Sequence, residues 1–217
     1  MSLSFTAATA GDDLVGGAGD DTFTAASAAR LQNADVATGG DGTDTVTGKI
    51  TGTVTPTFDG IENIVLEAVA TASIDGANIN SATSVTVTGG NTLTYLNQST
   101  EAFTVNGAGT GLTVTSAGTD SATADAITVN LGAAALGTVT LGSTAGVDIE
   151  TINLVTSGDG SVTLDEAGTA DFGGTNDKIV VTGTGDYTLK FDDADMGAAT
   201  SSSTTAVTID GSDHVGV

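Results

Sequence analysis

Two nine-residue segments of the sequence fit the pattern G-G-x-G-x-D-x-U-x, in which U is an apolar residue. The first segment runs from Gly16 to Thr24 and the second from Gly39 to Thr47. Glycines in this pattern allow a tight turn that exposes backbone carbonyls, and the aspartate adds a carboxylate oxygen. The apolar residue then begins a short strand. Such turns stack into a parallel β-roll with Ca²⁺ between them, so the two segments predict calcium-binding turns near the start of the chain.

These segments resemble the repeats of the RTX family of secreted calcium-binding proteins, and the resemblance covers residues 11–47. It implies a secreted bacterial protein that is loosely structured until calcium binds. RTX rolls contain many such repeats in tandem, whereas the two full copies here are separated. A partial copy begins at Gly11, and Asp35 precedes Asp44 by nine residues but follows no glycine pair. We therefore expect about one ion site for each full copy, and no long row of ions.

The predicted calcium ligands fall into two groups, one for each full copy of the pattern. We expect Asp13 with Asp21 at the first site and Asp35 with Asp44 at the second. The alternative for each aspartate is a hydrogen bond to the backbone of its own turn. The family resemblance implies that backbone carbonyls complete both sites, and these are the carbonyls of Gly17, Gly19, Gly40 and Gly42.

The charge of the chain also indicates a cation. Acidic residues number 27 against 4 basic ones, and the formal net charge is -23. Such a charge opposes compaction unless counterions neutralise it, and divalent cations do this well. So few basic residues disfavour nucleic acid as a partner. With one histidine and no cysteine, a zinc site is disfavoured and disulfides are excluded, and no apolar run is long enough for a transmembrane helix.

Apolar residues alternate with polar ones in short runs along most of the chain, mostly about 8–12 residues apart, which is typical of an all-β protein. We predict a right-handed parallel β-solenoid (a β-helix or β-roll) that starts with the RTX-like turns, and a β-sandwich is the runner-up. The alanine-rich segment Ala25–Ala34 is the one predicted helix.

An internal repeat favours the solenoid over the sandwich. The segment Gly60–Leu66 resembles Asp148–Leu154 at an offset of 88 residues, which aligns Glu62 with Glu150. The matched glutamates suggest a recurring calcium ligand or a bond to the backbone of the next turn. We predict imperfect repeats over about residues 42–75 and 118–165. We also predict RTX-like turns over 1–48, a continuous solenoid over 49–217, and a longer parent chain.

The glycine-aspartate turns and the I-E-x-I-x-L strands also resemble the repeats of bacterial surface-layer proteins and large secreted adhesins. That resemblance implies a calcium-stabilised structural segment of a secreted protein at the bacterial cell surface, and not an enzyme. Expected partners are Ca²⁺, copies of the chain in a surface lattice, or host-surface glycans. Two alternatives stay open, namely a carbohydrate- or ice-binding module with Thr-x-Thr strands, and a polysaccharide lyase or epimerase.

Overall fold

A computed structural model of the chain describes residues 1–7, 10–98, 101–116, 126–143, 151–167, 178–191 and 208–215. These residues form eighteen β-strands and one 3-10 turn, Gly76–Asn78, with no α-helix among them. Every strand pair in this part of the chain is parallel. The protein is therefore an all-β parallel solenoid, as the alternating pattern predicts.

The strands, numbered in chain order, lie on three faces. The first face holds β1 (Ser2–Ser4), β3 (Thr22–Ala25), β5 (Thr45–Val54), β7 (Asn63–Asp75), β8 (Ser84–Thr88), β10 (Ala102–Val105), β12 (Ala126–Leu131), β14 (Thr151–Ser157), β16 (Lys178–Thr184) and β18 (Thr208–Val215). The second face holds β9 (Thr92–Gln98), β11 (Gly111–Ser116), β13 (Ala135–Ser143), β15 (Gly160–Ala167) and β17 (Tyr187–Phe191). The third face is short and holds β2 (Asp13–Val15), β4 (Val36–Thr38) and β6 (Thr57–Asp59).

The long strands β5 and β7 connect the first face to the second. The first half of β7 pairs with β8, and its second half, from Ala72 to Asp75, pairs with β9. The third face ends with a single bridge between Phe58 and Ile79. From β8 onward the described strands alternate between the first and second faces. The β-sandwich alternative is wrong because each strand pairs in parallel with strands one turn away.

The core forms from side chains that recur at the same register position on successive turns. Because side chains alternate across a strand, every second residue points inward and stacks on its counterpart in the next turn. Tyr95 on the second face packs edge to face against Phe103 on the first, with ring centroids 5.2 Å apart. One such column across the first face contains Ile64, Val85, Phe103, Val129, Leu154 and Val181.

The predicted helix at Ala25–Ala34 is wrong. Ala25 ends β3, and the residues after it form turns. Leu31 is the one large apolar side chain in this segment, and it is buried in the solenoid core. A helix here would therefore have no apolar stripe to bury, whereas the observed turns place the Leu31 side chain in the core. The Arg30 guanidinium holds the segment in place by donating to the Phe5 carbonyl at 2.9 Å.

The strand register differs by two residues from the offset of the sequence repeat. The column that contains Ile64 continues to Leu154, so these residues are equivalent in space although the repeat aligns Ile64 with Ile152. Glu150 and residues 118–125 lie outside the described residues. The boundary predicted between residues 48 and 49 falls inside β5, whose residues Thr45–Gly48 pair with β3.

A pair of adjacent substitutions in β7 tests the assignment of the inward face. Leu66 is fully buried, whereas Val65 points outward and is partly exposed. Leu66→Ala is expected to lower the free energy of unfolding by about 2–5 kcal/mol, because a buried cavity replaces packed atoms. The matched control Val65→Ala should cost no more than about 1 kcal/mol. Urea unfolding followed by circular dichroism at constant calcium measures both, and equal losses would contradict the assignment.

Candidate metal centre in the acidic corner

The two full glycine-aspartate turns lie directly on one another. Ala18 and Asp41 form a parallel bridge between the turns. The Gly19 amide donates to the Asp41 carbonyl at 2.6 Å, and the Asp41 amide donates to the Gly17 carbonyl at 3.1 Å. The motif therefore produces stacked turns, and the Gly17 carbonyl serves the hydrogen-bond ladder between them.

Close approach explains why the second turn is rich in glycine. A Cβ on Gly39 would overlap both the Gly60 carbonyl oxygen and the Asp44 carboxylate. Gly42 has a φ of +128°, and a Cβ there would lie 2.9 Å from the Gly19 carbonyl oxygen. Gly17 differs from both, because a Cβ there would meet nothing within 4 Å, and unlike Gly42 it has no positive φ.

Asp21, Asp44 and Glu62 occupy the same register position on three successive turns, and we call this set the acidic corner. Each residue directly precedes a strand of the first face, namely β3, β5 or β7. The Asp21 amide donates to Asp44 Oδ1 at 2.7 Å, and the Asp44 amide donates to Glu62 Oε2 at 2.7 Å. Each carboxylate thus extends the hydrogen-bond ladder by binding the backbone of the preceding turn.

Asp21 is the best satisfied carboxylate of the acidic corner. The Met1 ammonium pairs with its Oδ1, and the Gly17 amide donates to its Oδ2 at 2.7 Å. These two hydrogen bonds, with the Met1 bond the larger cause, hold the pKa of the Asp21 carboxyl below its ordinary value. Asp21 is 3 % exposed, so its charge is stabilised locally by these donors rather than by bulk water.

Asp44 differs from Asp21 at one oxygen atom. Asp44 is 0 % exposed, and its Oδ2 is buried without a hydrogen-bond partner. This oxygen lies against Gly39, where the Gly60 carbonyl oxygen also points. A buried carboxylate oxygen without a donor is costly. This arrangement of anionic and carbonyl oxygens, with one unsatisfied, fits a hard cation such as Ca²⁺.

The other predicted carboxylate ligands lie away from the acidic corner. Asp35 is buried, and it accepts the Asp12 amide at 2.8 Å and the Gln32 amide at 2.6 Å. Asp13 is exposed on β2 and is in register with Val36. The structure therefore brings Asp21 together with Asp44 and Asp35 together with Asp12. The sequence instead predicts the pairs Asp13 with Asp21 and Asp35 with Asp44.

The ligand sets predicted from the sequence do not group Glu62 with Asp21 and Asp44. A signal was present, because each of the three acids follows a glycine by two residues and directly precedes a strand. The three segments are Gly19-Asp20-Asp21, Gly42-Thr43-Asp44 and Gly60-Ile61-Glu62. The sequence predicts that this glutamate binds calcium or bonds to the backbone of the next turn, whereas the observed bond is to the backbone of the preceding turn.

In the described part of the chain, no three acidic or histidine side chains are placed to hold a metal ion by themselves. A cation at Asp44 would therefore need carbonyl and water oxygens in addition to carboxylates, which is a mixture that Ca²⁺ accepts. The same residues contain no helix that is long and apolar enough to cross a membrane. Comparisons with models of known protein families, with curated proteins and with solved structures found no match.

Alanine substitution at two glycines tests the stacking of the turns. Gly39→Ala is expected to lower the free energy of unfolding by about 1–3 kcal/mol, because its Cβ would overlap the next turn. Gly17→Ala is the matched control, and it should change stability by less than about 0.5 kcal/mol. Denaturation in urea compares the two variants with the parent chain. Similar effects of both substitutions would contradict the direct contact between turns.

Proposed function

We propose that this chain is a calcium-stabilised structural segment of a secreted bacterial cell-surface protein, of the surface-layer or adhesin type. The observation that carries the proposal is the buried, unpartnered Oδ2 of Asp44 in the acidic corner. The two glycine-aspartate turns that contain Asp21 and Asp44 support it, since they match the RTX-like pattern at Gly16–Thr24 and Gly39–Thr47.

Electrostatics favour a divalent cation at this corner. Neighbouring strands lie about 4.7–4.9 Å apart, so carboxylates at one register position on successive turns are close enough to repel each other. Asp21 has the Met1 ammonium beside it, whereas Asp21 Oδ2, Asp44 Oδ1 and Glu62 Oε2 accept backbone amides, which carry no full charge. Calcium would be held by Asp44 with neighbouring carboxylate, carbonyl and water oxygens, and would neutralise part of the formal charge of -23.

A structural role agrees better with this corner than catalysis does. The Asp21, Asp44 and Glu62 carboxylates accept backbone amides, and the two aspartates are buried, so they support the fold. A catalytic acid or base instead needs access to a substrate. The elongated stack of turns also suits a stiff module that repeats or assembles in a surface layer.

A calcium titration of the chelator-treated chain tests the proposal. Extracellular calcium modules bind at roughly 0.1–1 mM, and one site at ten times its Kd adds about 1.4 kcal/mol of stability. We expect calcium to raise the urea midpoint of the parent chain and to sharpen its sedimentation boundary. Asp44→Asn should remove most of that gain, because it deletes the charge at the unsatisfied oxygen. The proposal would be overturned if neither calcium nor chelator changed the urea midpoint and the β-strand circular dichroism signal of the parent chain.

A second candidate is the carbohydrate- or ice-binding module, and one observation favours it. An in-register, outward column of uncharged hydroxyl side chains runs from β5 to β13 and ends where Asp165 of β15 takes the same position. The column contains Thr53, Ser73, Thr94, Thr113 and Thr140. The largest aromatic side chains are buried, so a stacking platform for sugars is not evident there and ice is the better ligand of the two.

Thermal hysteresis measured at constant calcium tests this second candidate. The parent chain should show hysteresis, and Thr113→Lys should reduce it severalfold because a charge interrupts the column of hydroxyl side chains. Thr104→Lys on the opposite face is the matched control and should leave hysteresis unchanged. The absence of hysteresis in the parent chain would eliminate ice binding.

A further inference from the structure

The register position of the acidic corner continues along the solenoid, and the type of residue that occupies it changes from acidic to apolar. Strand pairing carries this position from the turn of Glu62 through the following turns of the first face as far as β16. The residues that occupy it after Glu62 are, in order, Thr83, Glu101, Ile127, Ile152 and Ile179. One column of the solenoid therefore begins with carboxylates and ends with isoleucines.

The two ends of this column are stabilised in different ways. Ile127, Ile152 and Ile179 are 2 %, 4 % and 0 % exposed, and they stack in direct register. Their burial is favourable without any ligand. At the other end Asp44 is equally buried, but one of its oxygens has no hydrogen-bond donor. On the proposed function, a cation at that end stabilises the same register position that apolar contact stabilises further along.

Glu101 marks the change between the two ends. It is 3 % exposed, and its Oε1 accepts the Tyr95 hydroxyl at 2.8 Å from the second face. Tyr95 is itself fully buried. The carboxylate of this turn is therefore bonded to a donor that the fold supplies. Thr83, on the turn before it, is exposed and carries no charge.

We infer that calcium controls the folding of only the first turns of the solenoid, up to Glu62, and that the turns from β8 onward stay folded without it. This inference rests on the proposed function, because it assumes that a cation binds at the acidic corner. In a solenoid each turn contacts only its neighbours, so a destabilised end opens without unfolding the rest. Strand β7 stays in place because β8 and β9 both pair with it. Calcium loss therefore opens β1–β6 and exposes the free edge of β7.

Hydrogen exchange of the whole chain, measured by mass spectrometry with calcium or with chelator, tests this boundary. At ten times the Kd, calcium should raise the protection of amides in β3–β5 by about tenfold. Protection of amides in β12, β14 and β16 should change by less than about twofold, because no cation contributes to the stability of those turns.

Two variants separate the ends of the column. Asp44→Asn should abolish the calcium-dependent protection of β3–β5 and leave the β12–β16 amides as they are in the parent chain. Ile152→Val should lower protection around β14 and preserve the calcium response of β3–β5. Unfolding of the whole chain by Asp44→Asn would overturn the inference, since it would show one cooperative unit.

The outcomes distinguish the inference from the function on which it rests. Equal calcium-dependent protection in all turns would overturn the inference and leave the calcium-stabilised function in place. A folded chain with no calcium response in any strand would overturn both. Protection that changes only before β7 would support both.

Discussion

The parallel main-chain ladder between turns is the interaction on which the rest of this structure depends. Every described strand pairs in parallel with a strand one turn away, so residue positions form columns that run along the solenoid, with register shifts inside four of the strand pairs. A side chain is therefore never placed alone, because its neighbours are the residues at the same position on the turns before and after it. Packing, charge and glycine placement all follow from these columns.

The fold class could be predicted from local features, but the register could not. Alternating apolar residues reveal short one-sided strands, and the glycine-aspartate turns show that these strands stack in parallel. Turn length varies, however, with 18 residues from Thr45 to Asn63 and 26 from Phe103 to Val129. A repeat found in the sequence at one offset therefore misaligns residues in space, as it does for Ile64 and Ile152. Insertions between strands change the offset without disturbing the ladder.

The same reasoning explains which parts of the candidate site could be predicted. The glycine pattern correctly marks the turns around Asp21 and Asp44, because those turns carry their own local geometry. It does not reveal that Asp44 bonds to Asp21 and Glu62 to Asp44, since these partners are set by pairing across 23 and 18 residues. Spacing along the chain groups Asp35 with Asp44, whereas the register places Asp35 beside Asp12. The spacing of residues along the chain therefore identifies the turns, whereas the strand register identifies which residues bond to each other.

A column of side chains of the same chemical type affects the stability of every turn that it crosses, which a single residue does not. Stacked isoleucines add apolar contact with every turn, so each turn stabilises the next one. Stacked carboxylates add repulsion with every turn unless backbone amides, an ammonium group or a cation intervene. In the acidic corner backbone amides and the Met1 ammonium bind the carboxylates, but Asp44 Oδ2 is buried without a donor. This oxygen lies against Gly39, where the Gly60 carbonyl oxygen also points. A solenoid whose column changes from carboxylates to isoleucines can therefore keep the same fold along its length. Only the end with the carboxylates is then sensitive to the ions around it.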